Sequence, residues 1–210
     1  MSTSHGARRW FNDRSVMTRV SAIVLVLVLG LVVVAATALQ GAAKISSLRA
    51  EADAAVEIQA EVEAGRYGML WAADYLAIMA WSARVDGGDV SAAEDGDNMT
   101  GYQQGITDFE ESVLTLDPST LTSDGSAAVA AINDGWSTYV DADQKIFEAW
   151  RAGDLDAGDA IWVGERWDAY FVVSGALDEL RTAVQTQVDD LRVQVADRES
   201  TNRWVTLAAV

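Results

Sequence analysis

Residues 20–43 carry no charge, and the first nineteen of them read VSAIVLVLVLGLVVVAATA. A run of that length crosses a ~30 Å hydrocarbon core at ~1.5 Å rise per residue. Arg8, Arg9, Arg14 and Arg19 precede it, against a single acid, Asp13. After it the chain is acidic and patterned for helices, and it ends on Arg203-Trp204-Val-Thr-Leu-Ala-Ala-Val210. That ending reads as an interfacial tryptophan followed by the first residues of a second membrane segment. The pattern predicts a domain held outside the membrane between two membrane helices.

Basic residues are retained on the cytoplasmic side, so residues 1–19 are expected to be a cytoplasmic tail and the acidic bulk to be exported. Membrane helix one is expected at 20–40, the exported domain at 41–203 and the start of membrane helix two at 204–210. The rival reading is a cleaved signal peptide, because Ala36-Thr37-Ala38 fits the small-x-small cleavage pattern. The apolar run exceeds the usual ~7–15-residue signal core, and helical periodicity continues past the cleavage pattern. Both features favour an uncleaved anchor in the plasma membrane.

Composition narrows the chemistry. With no cysteine, the chain has no thiolate nucleophile, disulfide framework or Cys-ligated metal site. Its one histidine, His5, lies in the N-terminal tail, away from the exported part. From Lys44 onward there are 11 Lys and Arg against 31 Asp and Glu. That excess of acid disfavours nucleic-acid binding and contact with an anionic lipid surface. No phosphate-binding loop, nucleophile elbow, zinc-protease or dinucleotide fingerprint occurs, so no enzyme, no cofactor and no metal is expected. Asp154, Asp156 and Glu165 fall at positions 1, 3 and 12 of a calcium loop, but Gly158 and Asp159 occupy its fifth and sixth positions in the wrong order.

One proline, Pro118, in 210 residues favours long uninterrupted helices. Turn clusters at 86–97, 117–125 and 153–156 divide the exported part into helices expected at 44–84, 91–116, 124–152 and 155–203. Asp117 and Ser123 or Asp124 suit caps or turns, and Gly153 a helix end with Asp154 capping the next start. A chain that leaves the membrane on one helix and returns on another needs an even number of antiparallel helices. The expected fold is therefore all-α, an elongated antiparallel four-helix bundle flanked by transmembrane helices.

Helix one carries a heptad seam: Ile45, Leu48, Ala52, Ala55, Gln59, Val62, Arg66, Met69, Ala73, Leu76 and Ala80. Its length and its alanines predict a parallel homodimer through this face. The last helix repeats Leu177, Leu180, Val184 and Val188, Leu191, Val195 after eleven residues, which tracks a nearly straight stripe. Gln59 and Arg66 interrupt the seam of helix one. Arg66 either pairs with a nearby acid or offers a two-pronged contact to a ligand carboxylate, with Tyr67 and Trp71 covering apolar ligand surface. Aromatic residues on helices one, three and four read mainly as core, with room for one aromatic-lined pocket near Arg66 or Arg166.

The segment Trp136-Ser-Thr-Tyr139, Ala149-Trp-Arg-Ala-Gly153-Asp154, then Ala157 and Ala160 resembles a pattern found in bacterial methyl-accepting chemotaxis receptors of the four-helix-bundle sensor type. There it is an aromatic pair, a Gly-Asp hairpin and small residues after it. The resemblance covers nearly the whole chain, and its motifs are shared with input domains of sensor histidine kinases. It implies a transmembrane input module for chemotaxis and signal transduction. Such a module senses a small-molecule ligand or a ligand-loaded binding protein, and displacement of its last helix passes the signal inward to a linker and a signalling coiled coil. Aspartate-type receptors carry several arginines on helix one; this chain has Arg66 centrally and Arg84 near the tip. A histidine-kinase input domain and a ligand-free coiled-coil membrane protein are the alternative readings.

Overall fold

The structure, a computed structural model, describes residues 16–93 and 96–207, and every regular element among them is helical. Helix α1 is Val16–Val85 and α2 is the single turn Gly88–Ser91. Helix α3, Asp97–Phe109, runs on into a π-helical turn at Glu110–Leu114. A 3-10 turn, Pro118–Thr120, leads to α4, Ser123–Arg151. Helix α5, Leu155–Ile161, is joined by a second π-helical turn, Trp162–Arg166, to α6, Trp167–Leu207. The chain forms two compact units, one from the residues up to Ala50 and from Arg192 onward, the other Glu51–Leu191.

In the first unit the uncharged run lies within α1, and its large apolar side chains from Val20 to Val33 are exposed. One helix among the described residues is long and apolar enough to cross a membrane, and this is the one. The helix passes unbroken through Ala36-Thr37-Ala38, where the Thr37 hydroxyl donates to the Val33 carbonyl at 2.7 Å. Arg49 Nη2 meets Glu199 Oε1 at 2.5 Å, and a Cβ on Gly41 would lie 2.6 Å from Asn202 Oδ1. The basic tail before Val16 and the last three residues, 208–210, are outside the described residues.

In the second unit, α1, α3, α4 and α6 each pack against the next, and α6 closes on α1. Every pairing is antiparallel. Gln59 Nε2 donates to Gln185 Oε1 at 2.8 Å, Arg181 Nε meets Glu63 Oε1 at 2.7 Å, and Arg84 pairs with Asp159, so numbers rise on α1 as they fall on the returning chain. Between α3 and α4 the Tyr102 hydroxyl reaches Asp143 at 3.0 Å and Trp136 Nε1 donates to Glu110 at 3.1 Å. Helices α1 and α3 meet backbone to backbone. A Cβ on Gly68 would stand 2.8 Å from the Gly105 carbonyl oxygen, and one on Gly105 would stand 2.6 Å from that of Gly68.

The core falls into two clusters. One gathers Val62, Met69, Phe109, Val113, Ile132, Trp136, Tyr139, Val173, Leu177, Leu180 and Val184. The other gathers Ala72, Leu76, Met79, Met99, Tyr102, Ile146, Phe147 and Trp150. Trp150 closes the second cluster. Its carbonyl lies against Gly88 and its indole against Gly158, and neither contact leaves room for a β-carbon. The chain then turns at Gly153, whose φ of 79° favours glycine, and Asp154 caps α5 by accepting from the Ala157 amide at 3.0 Å.

The structure corrects several sequence expectations. The helix expected from 91 begins at Asp97, because Gly87 at φ 104° and extended Gly96 set off the separate turn α2. Thr122, rather than Ser123 or Asp124, caps α4 by accepting from the Gly125 amide at 3.3 Å. A π turn interrupts the helix expected at 155–203. The helix-one seam faces the chain's own helices: Leu48, Ala55, Val62, Met69, Leu76 and Ala80 are buried, so it is not a free dimer face.

The glycine contact between α1 and α3 sets the first prediction. Gly68→Ala or Gly105→Ala should each destabilise by about 1–3 kcal/mol, since backbone must move to admit the methyl. Gly175→Ala, with nothing within 4 Å of its Cβ position, should stabilise by roughly 0.5–1 kcal/mol. Denaturant unfolding of the full chain in detergent micelles checks the contrast.

Candidate functional site

Helix α4 turns Ile132, Trp136, Tyr139, Asp143, Ile146 and Trp150 inward, at alternating spacings of four and three. One of these is an acid. Asp143 is fully buried, and so is Arg166, at 0% and 1% side-chain exposure. Arg166 Nε donates to Asp143 Oδ1 at 3.2 Å and its Nη2 donates to the Tyr139 hydroxyl at 2.6 Å. The Tyr102 hydroxyl donates to the other Asp143 oxygen. Aromatic faces complete the enclosure: the guanidinium carbon lies 4.9, 5.4 and 5.6 Å from the ring centres of Tyr139, Trp167 and Tyr170. Guanidinium groups tolerate such stacking because they are weakly hydrated.

The second π turn decides which residue reaches this layer. On an unbroken α-helix phased on buried Gly158, Glu165 lies two turns above it on the same side. The extra residue in Trp162–Arg166 swings Glu165 outward, where it accepts from Lys145 Nζ at 2.5 Å, and brings Arg166 inward. The first π turn lies beside the same stack: Glu110 holds Trp136, which stacks 3.8 Å from Phe109 and 5.2 Å from Tyr139. One polar layer therefore ties α3, α4 and the start of α6 together, at the boundary of the two apolar clusters.

Burial dominates the electrostatics. It pushes the Asp143 carboxyl up from 3.8 to about 6, against the pull of the Arg166 guanidinium and the Tyr102 hydroxyl. Burial also pushes the Tyr102 and Tyr139 hydroxyls upward, with Asp143 adding to both. Both phenols therefore stay protonated and serve as donors or acceptors. Tyr102 also lines a groove of 540 Å³ between α3 and α4, with Met99, Gln103, Gln144, Phe147 and Arg151. The layer can thus hold a fixed dipole and charge in the core and connect that groove to α6.

The residues singled out from the sequence lie elsewhere. Arg66 is not in the seam. Gly65 and Met69 take the inward positions at its level, because Gly65 packs against Val113 and an α-helix drifts from a strict seven-residue repeat. Arg66 Nη1 stands 3.7 Å from Glu63, which Arg181 also contacts, so two guanidiniums share one carboxylate. Tyr67 and Trp71 are 71% and 53% exposed on the same helix. Of the aromatics expected in the core, Trp136, Tyr139, Phe147 and Trp150 are buried, whereas Tyr67, Trp71 and Trp81 are exposed.

Asp143 and Tyr102 were missed by sequence reasoning, although a signal existed for the acid. It is the only charge in the apolar series of α4, just as Arg166 is in phase with Ala169, Val173, Ala176 and Leu180 on α6. Tyr102 has no such mark. No protein-family model, no curated protein and no solved structure matches the chain.

Two arginine substitutions separate the exposed and buried readings. Arg66→Ala should change stability by less than about 0.5 kcal/mol, as its ion pair is long and solvated. Arg166→Met strands a buried carboxylate and should cost about 3–5 kcal/mol at neutral pH. A carboxyl whose folded pKa is raised gives its full contribution below the unfolded value and loses it as pH rises through the folded one. In the intact protein that window runs from 3.8 to about 6. Without Arg166 the window extends higher, so the variant should regain stability at pH 5 and lose most above pH 7. Thermal unfolding across pH checks the sign.

Proposed function

We propose that the chain is the input module of a transmembrane chemoreceptor, an antiparallel four-helix bundle between membrane helices. In this reading it samples an extracytoplasmic signal and passes it by displacement of α6 to a cytoplasmic signalling region. The observation that carries the proposal is α1 itself. One unbroken helix contains both the exposed, uncharged run and the first packed helix of the Glu51–Leu191 unit. The arginines before that run support an orientation with the N-terminus in the cytoplasm and the main domain outside the plasma membrane.

The buried layer supports the transmission half of the proposal. A ligand shifts a conformational equilibrium only by binding the two arrangements with different affinity. A packed polar layer with one set of partners gives α6 a defined resting position to be displaced from. A small anionic ligand, or a binding protein loaded with one, is proposed to contact Arg66, with Tyr67 and Trp71 beside it. The surplus guanidinium at Glu63 supplies charge for a carboxylate.

Reporter fusions near residue 120 test the topology. Alkaline phosphatase joined there should be active, and green fluorescent protein joined there should stay dark. Strong cytoplasmic fluorescence from that fusion would reverse the orientation and remove the sensor reading.

A further inference from the structure

The groove between α3 and α4 has two matched walls. Met99, Gln103 and Ile106 line it from α3, and Val140, Gln144 and Phe147 from α4, each set at spacings of four and then three. Two bridges bound it. Trp136 Nε1 donates to Glu110 at 3.1 Å one turn before Val140, and at the other end Arg151 Nε donates to the Ala92 carbonyl at 2.8 Å. The 540 Å³ between them is the size of a small-molecule site.

We propose that this groove binds a small, uncharged aromatic molecule that carries an amide or a similar hydrogen-bonding edge. The floor selects the aromatic part. Met99, Tyr102 and Phe147 line it from the core, and the two rings meet edge to face at 5.1 Å and 83°. Ring edges and a thioether are favoured contacts for a further aromatic face. The rim selects the polar edge. Gln103, Thr107 and Gln144 are exposed, and among the described residues nothing bonds their side chains. Two amides and a hydroxyl supply both donors and acceptors. Charge selects against ions. Glu148 and Arg151, three residues apart at one end, are the acid and the base of the lining and offset each other. An ion entering the groove would give up hydration for no net counter-charge.

Tyr102 carries occupancy inward. Its ring lines the groove while its hydroxyl donates to Asp143, which Arg166 also contacts. A molecule wedged against that ring braces α3 on α4 at the level of the buried layer, which links binding to the resting position of α6. Arg66 lies on α1 and is not part of this lining, so the groove is separate from the site proposed above. Its ligand is neutral rather than anionic, and the binding step does not rest on the membrane topology.

Indoleacetamide, indoleacetate and tryptamine share one ring system and differ in charge, which makes them the probes. Each is titrated into the full chain in lipid nanodiscs, with the methionine methyl groups isotope-labelled. Met99 lines the groove, and its signal is assigned by its loss in Met99→Leu. A saturable shift of that signal is expected with the amide, and only weak shifts at the same concentrations with the acetate and the amine. Gln144→Leu, at an exposed position, should leave the spectrum of the free protein in place and weaken amide binding severalfold. The Arg166 Nε–H signal should move over the same concentrations. No saturable Met99 shift with the amide, equal binding of all three probes, or full binding by Gln144→Leu would each overturn the proposal. An Arg166 signal that stays still while Met99 shifts would overturn the link to the layer. A chain that binds the amide but fails the topology test keeps this site and loses the sensor reading.

Discussion

The contact on which the second unit turns is the buried pair of Asp143 and Arg166. Two charges removed from water cost several kcal/mol each, and a pair in the core rarely beats an apolar replacement on stability alone. Its structural effect lies in what it excludes. Asp143 is satisfied when Arg166 and Tyr102 both reach it, and Arg166 reaches it only through the extra residue of the π turn at Trp162–Arg166. A one-residue slip of α6 would bury Glu165 beside Asp143 and leave two carboxylates facing each other. The pair thus sets the register of α6 on α4, and the stack of Phe109, Trp136 and Tyr139 extends that alignment to the first π turn on α3.

The helices were legible in the sequence because their punctuation is local. Gly153 and Asp154 end one helix and cap the next with short-range hydrogen bonds, and Asp117 with Pro118 marks a turn in the same way. The layer was less legible. Asp143 announces itself as a charge in an apolar series, but its partner lies across a π turn, and no spacing rule shows where a helix takes an extra residue. The seam of helix one was read correctly at Leu48, Ala55, Val62, Met69, Leu76 and Ala80. It failed at Arg66, where close approach to α3 through Gly65 and Gly68 turns a neighbouring position inward. Glycine has no side chain to mark it as a packing site in a hydrophobic pattern.

That failure clarifies the division of labour along α1. One face, running through Val62, Met69 and Leu76, is buried against the chain's own helices. The opposite face carries aromatic rings with nothing over them. Sequence periodicity found the first face and counted the rings as core, because a buried tryptophan and an exposed one look alike in composition. Helical phase separates them once the inward residues are known.

The polar layer holds the register of α6 only while it is closed to water. Arginine Nε–H groups on a surface exchange with solvent too fast to survive transfer to heavy water, whereas a buried, bonded one is protected. A nitrogen–proton spectrum of the chain with labelled arginine, followed after dilution into heavy water at neutral pH, reads this directly. One persistent Nε–H signal is predicted, belonging to Arg166 and lost in Arg166→Met. A spectrum in which no arginine Nε–H outlasts the others would contradict the buried pair and the register built on it.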